Sequence, residues 1–415
     1  MTLLPGRSRN WLLALLLAIA GSASAQSTHP EETIERKEKL EEAAPDTWFG
    51  RGALDRWLEP HDRYRDDLQQ RHGFAWVAIF SPMVQLGTEG SQTLNEVLDV
   101  FAYWEGFLEH PTLGRSSIEV YLTHAQDGLA NTTTSEFAED LGLVMLTNDA
   151  DADEVYNVIA VLAWEQAMFQ ERLRLLVGQL EPESTFDENE FLGYDRESFF
   201  ARPLANNPVR PSLGSGPGAA LWVTPNASLY GMAGLISQAG DPRYPDLGDL
   251  DDDVYLKFVE LGYTPEFAGA GQGNYRVAWS RLDSSKDHPS SNAVMLSFDQ
   301  ELGPDYAVAL RYAYSDGDVA PTKRFGSIGF IWRRAFGRNG DWLGIGAFWG
   351  DPSESHVDGD PSNPRLDDEY GAELFWRAQL TDRAQFTTDL QLRNPSNEDS
   401  DDLEAVLGFR LALFF

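Results

Sequence analysis

From residue 73 onward, hydrophobic and polar positions alternate singly along most of this chain. The closing stretch shows it most fully: Ala405, Leu407, Phe409, Leu411, Leu413 and Phe415 fall on one face, with Glu404, Gly408, Arg410 and Ala412 on the other. A period of two with one apolar and one polar face marks a β-strand. The same pattern recurs over 74–86, 94–107, 116–125, 155–166, 169–180, 217–225, 227–238, 253–264, 273–284, 291–302, 304–315, 323–336, 341–350, 368–380, 383–394 and 402–415. A further block, 136–147, is strand-like and would make seventeen.

Upstream the pattern changes. Residues 1–25 read as a signal peptide: Arg7 and Arg9, an apolar run from Trp11 to Ala20, then Ala23-Ser24-Ala25 before Gln26. Gln26 to Ala44 is charged and reads as a solvated linker, and Trp57 to Arg71 as a short amphipathic helix stopped by Gly73. The domain plan is therefore a signal peptide (1–25), an N-terminal periplasmic linker and helix (26–72) and a strand-rich body (73–415).

A soluble sandwich or a secreted enzyme is one reading of exported strands. No later segment supplies the ~18 uncharged apolar residues of a spanning helix. An exported bilayer protein without such helices must be a closed barrel, because only closure satisfies every backbone group in lipid. A strand that ends on an aromatic after an apolar face points to the outer membrane.

Loop lengths fix the strand count. Barrels of this kind alternate short periplasmic turns with long outer loops. Stepping back from the C-terminus puts 395–401, 351–367, 316–322, 285–290, 239–252 and 181–216 outside. Thr381-Asp382, 337–340, Gly303, 265–272, Pro225-Asn226 and Ala167-Met168 fall inside. The first strand starts at the periplasm only if 136–147 belongs to one outer loop spanning 126–154. The predicted fold is all-β: a transmembrane 16-stranded antiparallel β-barrel with a short N-terminal helical segment. A barrel of that size encloses water.

A charge on the lipid face costs roughly 2–4 kcal/mol at the midplane. The sorting therefore sends Arg311, Glu369, Glu373, Arg377, Asp389, Arg393, Arg172, Arg174, Glu165, Arg276, Asp299 and Arg333 inward. This wall mixes arginines with carboxylates, amides and hydroxyls. Guanidinium forks and carboxylates beside aromatic rings are suited to sugar hydroxyls and ring faces; a generic hydrated wall, its charges pairing only with one another, is the plainer reading.

Three patches resemble the carbohydrate-selective porins of the bacterial outer membrane, the OprB-like family. One is Thr388-Asp-Leu-Gln-Leu-Arg-Asn-Pro395 followed by Val406-Leu-Gly-Phe-Arg-Leu411. Another joins Leu162-Ala-Trp-Glu-Gln166, Arg172-Leu-Arg-Leu-Leu-Val-Gly-Gln179, Phe186-Asp187 and Leu204-Ala-Asn-Asn-Pro208. The third is Val259-Glu-Leu-Gly-Tyr263 with Gly273-Asn-Tyr-Arg-Val277. The resemblance implies passive diffusion of small sugars past an arginine-bearing constriction into which the third outer loop folds. Here that loop is 181–216, with Phe186, Phe191, Tyr194, Arg196, Phe199, Phe200, Arg202 and Arg210.

The expected constriction centres on Arg172 and Arg174, two apart on the lumen face before that loop, with Glu165 across the turn placed to pair with Arg172. Arg276, Phe199 and Phe200 are expected to complete it. A general or cation-leaning porin, favoured by the net charge of −34, is the alternative within the same class; a surface barrel with a binding or enzymatic role is the alternative outside it. His124, on an outward face, is the sole hint of barrel-wall enzymology.

The remaining chemistry is thin. There are no cysteines, so no disulfide framework is available. No His-x-x-x-His pair, nucleophile elbow or phosphate loop is present, and no metal or cofactor is expected. The acidic runs around Asp149 and Asp249 lack the glycine and closing glutamate of a calcium loop and read as solvated. Acidity argues against nucleic acid. The expected partners are small sugars and outer-membrane lipid, with homotrimer and monomer both left open.

Overall fold

The computed structural model describes residue 34 and residues 46–110, 114–127, 132–150, 155–193, 196–239, 241, 243–251, 253–353, 366–396 and 403–415. The signal peptide, nearly all of the linker and most of the 351–367 loop lie outside the described residues.

Sixteen long strands follow one another: β1 (Phe74–Leu86), β2 (Gln92–His110), β3 (Gly114–Asp127), β4 (Val155–Met168), β5 (Leu173–Leu180), β6 (Gly216–Asn226), β7 (Leu229–Ser237) and β8 (Tyr255–Tyr263). The second half comprises β9 (Gly271–Leu282), β10 (Ser291–Leu302), β11 (Tyr306–Ser315), β12 (Thr322–Arg333), β13 (Trp342–Pro352), β14 (Glu369–Thr381), β15 (Ala384–Asn394) and β16 (Glu404–Phe414). Each strand pairs antiparallel with its sequence neighbours, and β1 pairs with β16 from Ile79↔Phe414 to Leu86↔Leu407. The sheet therefore closes and leaves no edge. A two-residue bridge at Glu266–Phe267 belongs to the turn between β8 and β9.

The alternation is realised residue by residue. On β11, Ala307, Ala309, Arg311, Ala313 and Ser315 are buried inside, while Tyr306, Leu310, Tyr312 and Tyr314 are exposed outside. β1 and β10 have the bounds that the pattern predicts, and the others shift by a few residues.

The 136–147 block is not a strand. It opens with a helix, α2 (Thr134–Asp140), started by a reciprocal cap in which the Thr133 hydroxyl accepts from the Glu136 N–H and the Glu136 carboxylate accepts from the Thr133 N–H.

The 169–180 strand needs a larger correction. β4 runs on to Met168, and Phe169, Gln170 and Glu171 all take left-handed φ, at 55°, 61° and 63°. The turn is thus 169–172, and β5 begins at Leu173. None of these residues is glycine, proline or asparagine, so the usual turn signal is missing.

Long loops gather at one rim. The Thr322 N–H donates to the Pro208 carbonyl across 3.4 Å and the Ser353 N–H to that of Pro321 across 2.9 Å. The loops after β5, β11 and β13 thus meet one another at that rim. The short-turn rim carries the N-terminal helix, α1 (Ala53–His72), longer than predicted because it starts before Trp57. Its buried side (Asp55, Leu58, Arg65) faces the barrel; Thr381 Oγ1 donates to Asp55 at 3.2 Å, and Arg383 pairs with Asp62.

Gly73 ends α1 in the left-handed region (φ 66°), its N–H on the Gln69 carbonyl at 2.9 Å. A Cβ there would also run into the Glu105 carbonyl oxygen. Gly73→Ala is expected to cost about 1–3 kcal/mol, read as an earlier thermal loss of the folded barrel. An unchanged unfolding temperature would contradict this account of the helix–strand joint.

Candidate functional site: a lumen packed with loops

The strand period delivers to the inner wall most of the charges that sequence sorting assigned there. Arg276 on β9, Arg377 on β14, Arg393 on β15 and Arg410 on β16 are among the largest fully buried side chains. Glu260, Asp299, Glu369, Glu373 and Asp389 are buried between them. Buried charges require partners, and the partners here are mostly the backbones of two outer loops.

Arginines hold loop carbonyls. Arg276 donates to Glu188 O at 3.1 Å, Arg311 to Leu204 O at 3.4 Å, Arg377 to Glu197 O at 3.2 Å and Arg410 to Ser198 O at 2.8 Å. Arg393 donates to Met145 O at 2.6 Å. Carboxylates hold loop N–H groups. Glu373 accepts from Phe200 and Ala201 at 2.7 and 2.8 Å, and Glu369 from Val144 and Met145 at 2.8 and 3.0 Å. Glu260 accepts from Asp187 at 2.7 Å and Asp299 from Glu190 at 3.3 Å. The loops carry few regular backbone bonds of their own, so the wall supplies them.

Aromatic rings fill the spaces between these bonds. Phe186 stacks on Phe258 at 4.4 Å, and Phe199 meets Phe375 edge-on at 4.9 Å. The guanidinium of Arg410 lies 4.3 Å over Phe200, that of Arg377 4.0 Å over Trp342 and that of Arg393 4.7 Å over Phe348. Wall glycines make the close approach possible: a Cβ on Gly346 would sit 2.9 Å from the Phe199 ring, and one on Gly408 2.9 Å from that of Phe200.

Arg196 joins three elements. Its Nε donates to Asp99 on β2 at 3.0 Å and its Nη1 to Asp149 in the 126–154 loop at 2.6 Å. Burial pushes the Asp149 carboxyl up from its ordinary range, and the neighbouring Arg196 pulls it back. Asp187 is likewise raised by burial, opposed first by Arg210. Glu181, at the start of the long loop, is pushed up to about 8 by burial, with the Glu183 charge adding to it.

Among the charged groups of this loop, Arg202 and Glu183 stay partly open to solvent. Arg202 opens a single helical turn (Arg202–Ala205) where the two loops meet, its N–H on the Leu146 carbonyl at 3.2 Å. Its guanidinium lies 3.8 Å from Glu183, with the two side chains 30% and 24% exposed. Arg210 reaches the same Glu183 oxygen from its buried side at 3.8 Å.

The six residues expected to form the constriction do not come together as one site; only Glu165 and Arg174 pair. Arg172 lies exposed in the 169–172 turn, not on the lumen face, because β5 starts after it. Glu165 therefore pairs with Arg174, at 2.6 Å, rather than with Arg172. That pair sits beside the short-turn rim, with the guanidinium 5.7 Å over Trp222. Arg276 is consumed by Asp299, Tyr230 and the Glu188 carbonyl. Phe199 and Phe200 do belong to the inward-folded loop, but they are buried against the wall at 2% and 0% exposure.

Glu260 and Asp99 were missed. Glu260 shares its lumen face with Leu256 and Phe258, which disguises the polar side of β8. That face is apolar because loop residues such as Phe186 cover it.

A closed barrel of sixteen strands with outward aromatics and long loops folded inward is the architecture of a porin of the bacterial outer membrane. Residues 252–415 match the model of the family described as carbohydrate-selective porin, OprB family. No curated protein matches the chain. A high-pH structure of Pseudomonas putida OprB superposes with a TM-score of 0.69 at 13% identity, covering 86% of this chain and 97% of that one. The low-pH structure of the same protein gives 0.54, again at 13% identity with 86% and 97% covered. Salmonella typhi OmpF in complex with daunomycin gives 0.54 at 10% identity, covering 82% and 97%. Identities this low speak for the fold. The resemblance carried by the C-terminal motifs is borne out over the matched residues.

Proposed function

We propose that this porin passes small neutral sugars by passive diffusion, and that Arg202 and Glu183, rather than Arg172 and Arg174, meet the sugar. The observation that carries the reading is their partly open 3.8 Å separation. It is too long for a good direct hydrogen bond and leaves a gap that a hydroxyl bridges, donating to the carboxylate while accepting from the guanidinium. A carbohydrate-selective family match supports the substrate class. Catalysis has no place in this reading.

Sugar block of single-channel current tests it. Arg202→Ala is expected to weaken block about tenfold, the loss of roughly one charge-assisted hydrogen bond, about 1.4 kcal/mol. Glu183→Gln should weaken it less, because an amide still accepts. If both variants keep wild-type block, this site is wrong. The cation-leaning alternative, motivated by the −34 charge, predicts instead a potassium-selective zero-current potential with no block by any sugar.

A further inference from the structure

We propose that α1 is an interfacial anchor, lying flush with the lipid-facing wall at the periplasmic rim and dipping Trp57 and Tyr64 into the headgroup layer of the inner leaflet. This goes beyond the transport reading and does not depend on which solute passes.

The placement of α1 comes from what it touches. His61 packs edge-on against Trp76 with ring centroids 5.0 Å apart, and Trp104 Nε1 donates to the His72 carbonyl at 3.0 Å. Trp76 and Trp104 are outward residues of β1 and β2, opposite in phase to the buried Ala75, Val77, Phe101 and Tyr103. A helix that contacts them sits at the outer circumference rather than beneath the pore.

The approach to α1 has the same character. Trp48 and Phe49 donate their N–H groups to the carbonyls of Gln379 and Leu380 at the end of β14. The Trp48 ring then meets outward-facing Trp376 at 6.0 Å. From Trp376 a row of rings continues along the rim: Phe336 at 6.3 Å, then Trp332 at 5.5 Å from Phe336, then Tyr306 at 6.4 Å from Trp332. Such a row at the end of the lipid-facing wall is an aromatic girdle, where amphipathic rings sit at headgroup level. The N-terminal segment extends that girdle.

The free face of α1 carries it further. Trp57 is 73% exposed and Tyr64 61% exposed. They stand seven residues apart, two turns of helix, on an exposed face turned about 120° from the buried Asp55, Leu58 and Arg65. Phe49, 73% exposed, precedes them. Acidic and basic residues are mixed along α1, so anionic lipid is not singled out. Ring insertion at the boundary of headgroup and acyl chain is the contribution expected of such a face. Continuity with the girdle favours phospholipid over a protein partner as the occupant.

The absence of cysteine makes the test clean. Trp57→Cys and Tyr64→Cys each accept one environment-sensitive fluorophore, with Asp246→Cys on an exposed outer loop as the aqueous reference. Labelled full-length barrels are placed in phosphatidylethanolamine–phosphatidylglycerol vesicles containing nitroxide lipid, either shallow or deep. Heat-shifted gel mobility confirms folding of each variant; both sites lie off the sheet, and either one alone carries the test. The expected result is quenching about twofold stronger by shallow than by deep nitroxide, with iodide access about fivefold below the reference. Iodide access equal to the reference without nitroxide quenching would place the face in water and overturn the proposal. Protection from both quenchers would place protein on it, a second copy or a periplasmic partner, and overturn it equally.

Discussion

Arg196→Ala is expected to raise single-channel conductance several-fold and to make the open current noisy, whereas Arg174→Ala leaves both close to wild type. Arg196 ties the 181–216 loop to Asp99 of the wall and to Asp149 of the 126–154 loop, at 3.0 and 2.6 Å. All three side chains are nearly inaccessible. Removing the guanidinium leaves two carboxylates buried side by side, and breaking a buried pair in this way costs about 3–5 kcal/mol. Asp149 is already raised by burial with Arg196 as its foremost relief. Releasing the loops into water relieves the strain, and it opens the lumen. Neutralising one carboxylate in the same background, Arg196→Ala with Asp149→Asn, should restore part of the wild-type current. Arg174 holds Glu165 on the neighbouring strand, beside the short-turn rim and away from the tie between the loops, so its loss is expected to leave them closed. Wild-type conductance in Arg196→Ala would show that the loops hold without this tie.

The barrel was legible because its controlling variable is a period of two, written into strand after strand. Turn lengths added the parity that rejects a seventeenth strand. What escaped was set by contacts between distant segments. The lumen faces of β1 (Ala75, Val77, Ile79) and β8 (Leu256, Phe258) are apolar over part of their length, contrary to the expectation of a hydrated wall, because those residues belong to a core that also includes loop residues such as Phe186 and Leu204.

The same contacts explain why the six residues expected at the constriction do not assemble into one site. The strand pattern assigns arginines to the lumen as lining, whereas several of them fasten loop carbonyls. Whether a guanidinium is spent depends on the loop fold, which the local pattern does not encode. Two signals were nevertheless present. Thr133-Thr-Ser-Glu136 is a capping box that announces α2. The density of arginine and aromatics in 181–216 did mark the loop that enters the lumen, although Arg202 was not singled out within it.

Raising the pH should loosen the packed loop, and Glu181→Gln should abolish much of that dependence. Glu181 follows β5 at the point where the loop turns inward. Its Oε2 is buried without a hydrogen-bond partner among the described residues. Burial foremost, and then the charge on Glu183, lifts its carboxyl to about 8. In a released loop the group returns to an ordinary value near 4.5. The packed state therefore holds a proton that the released state gives up. Between those two values each rise of one pH unit disfavours packing by about 1.4 kcal/mol; above about 8 both states are ionised and the effect levels off. Open-channel noise and mean conductance should climb from about pH 5 to about pH 8 and then flatten. Glutamine keeps the shape of the neutral acid without a proton to lose, so Glu181→Gln channels should be quiet and nearly pH-independent across this window. A variant that retains the full wild-type pH profile would assign the titration to another group and remove Glu181 from the control of the loop.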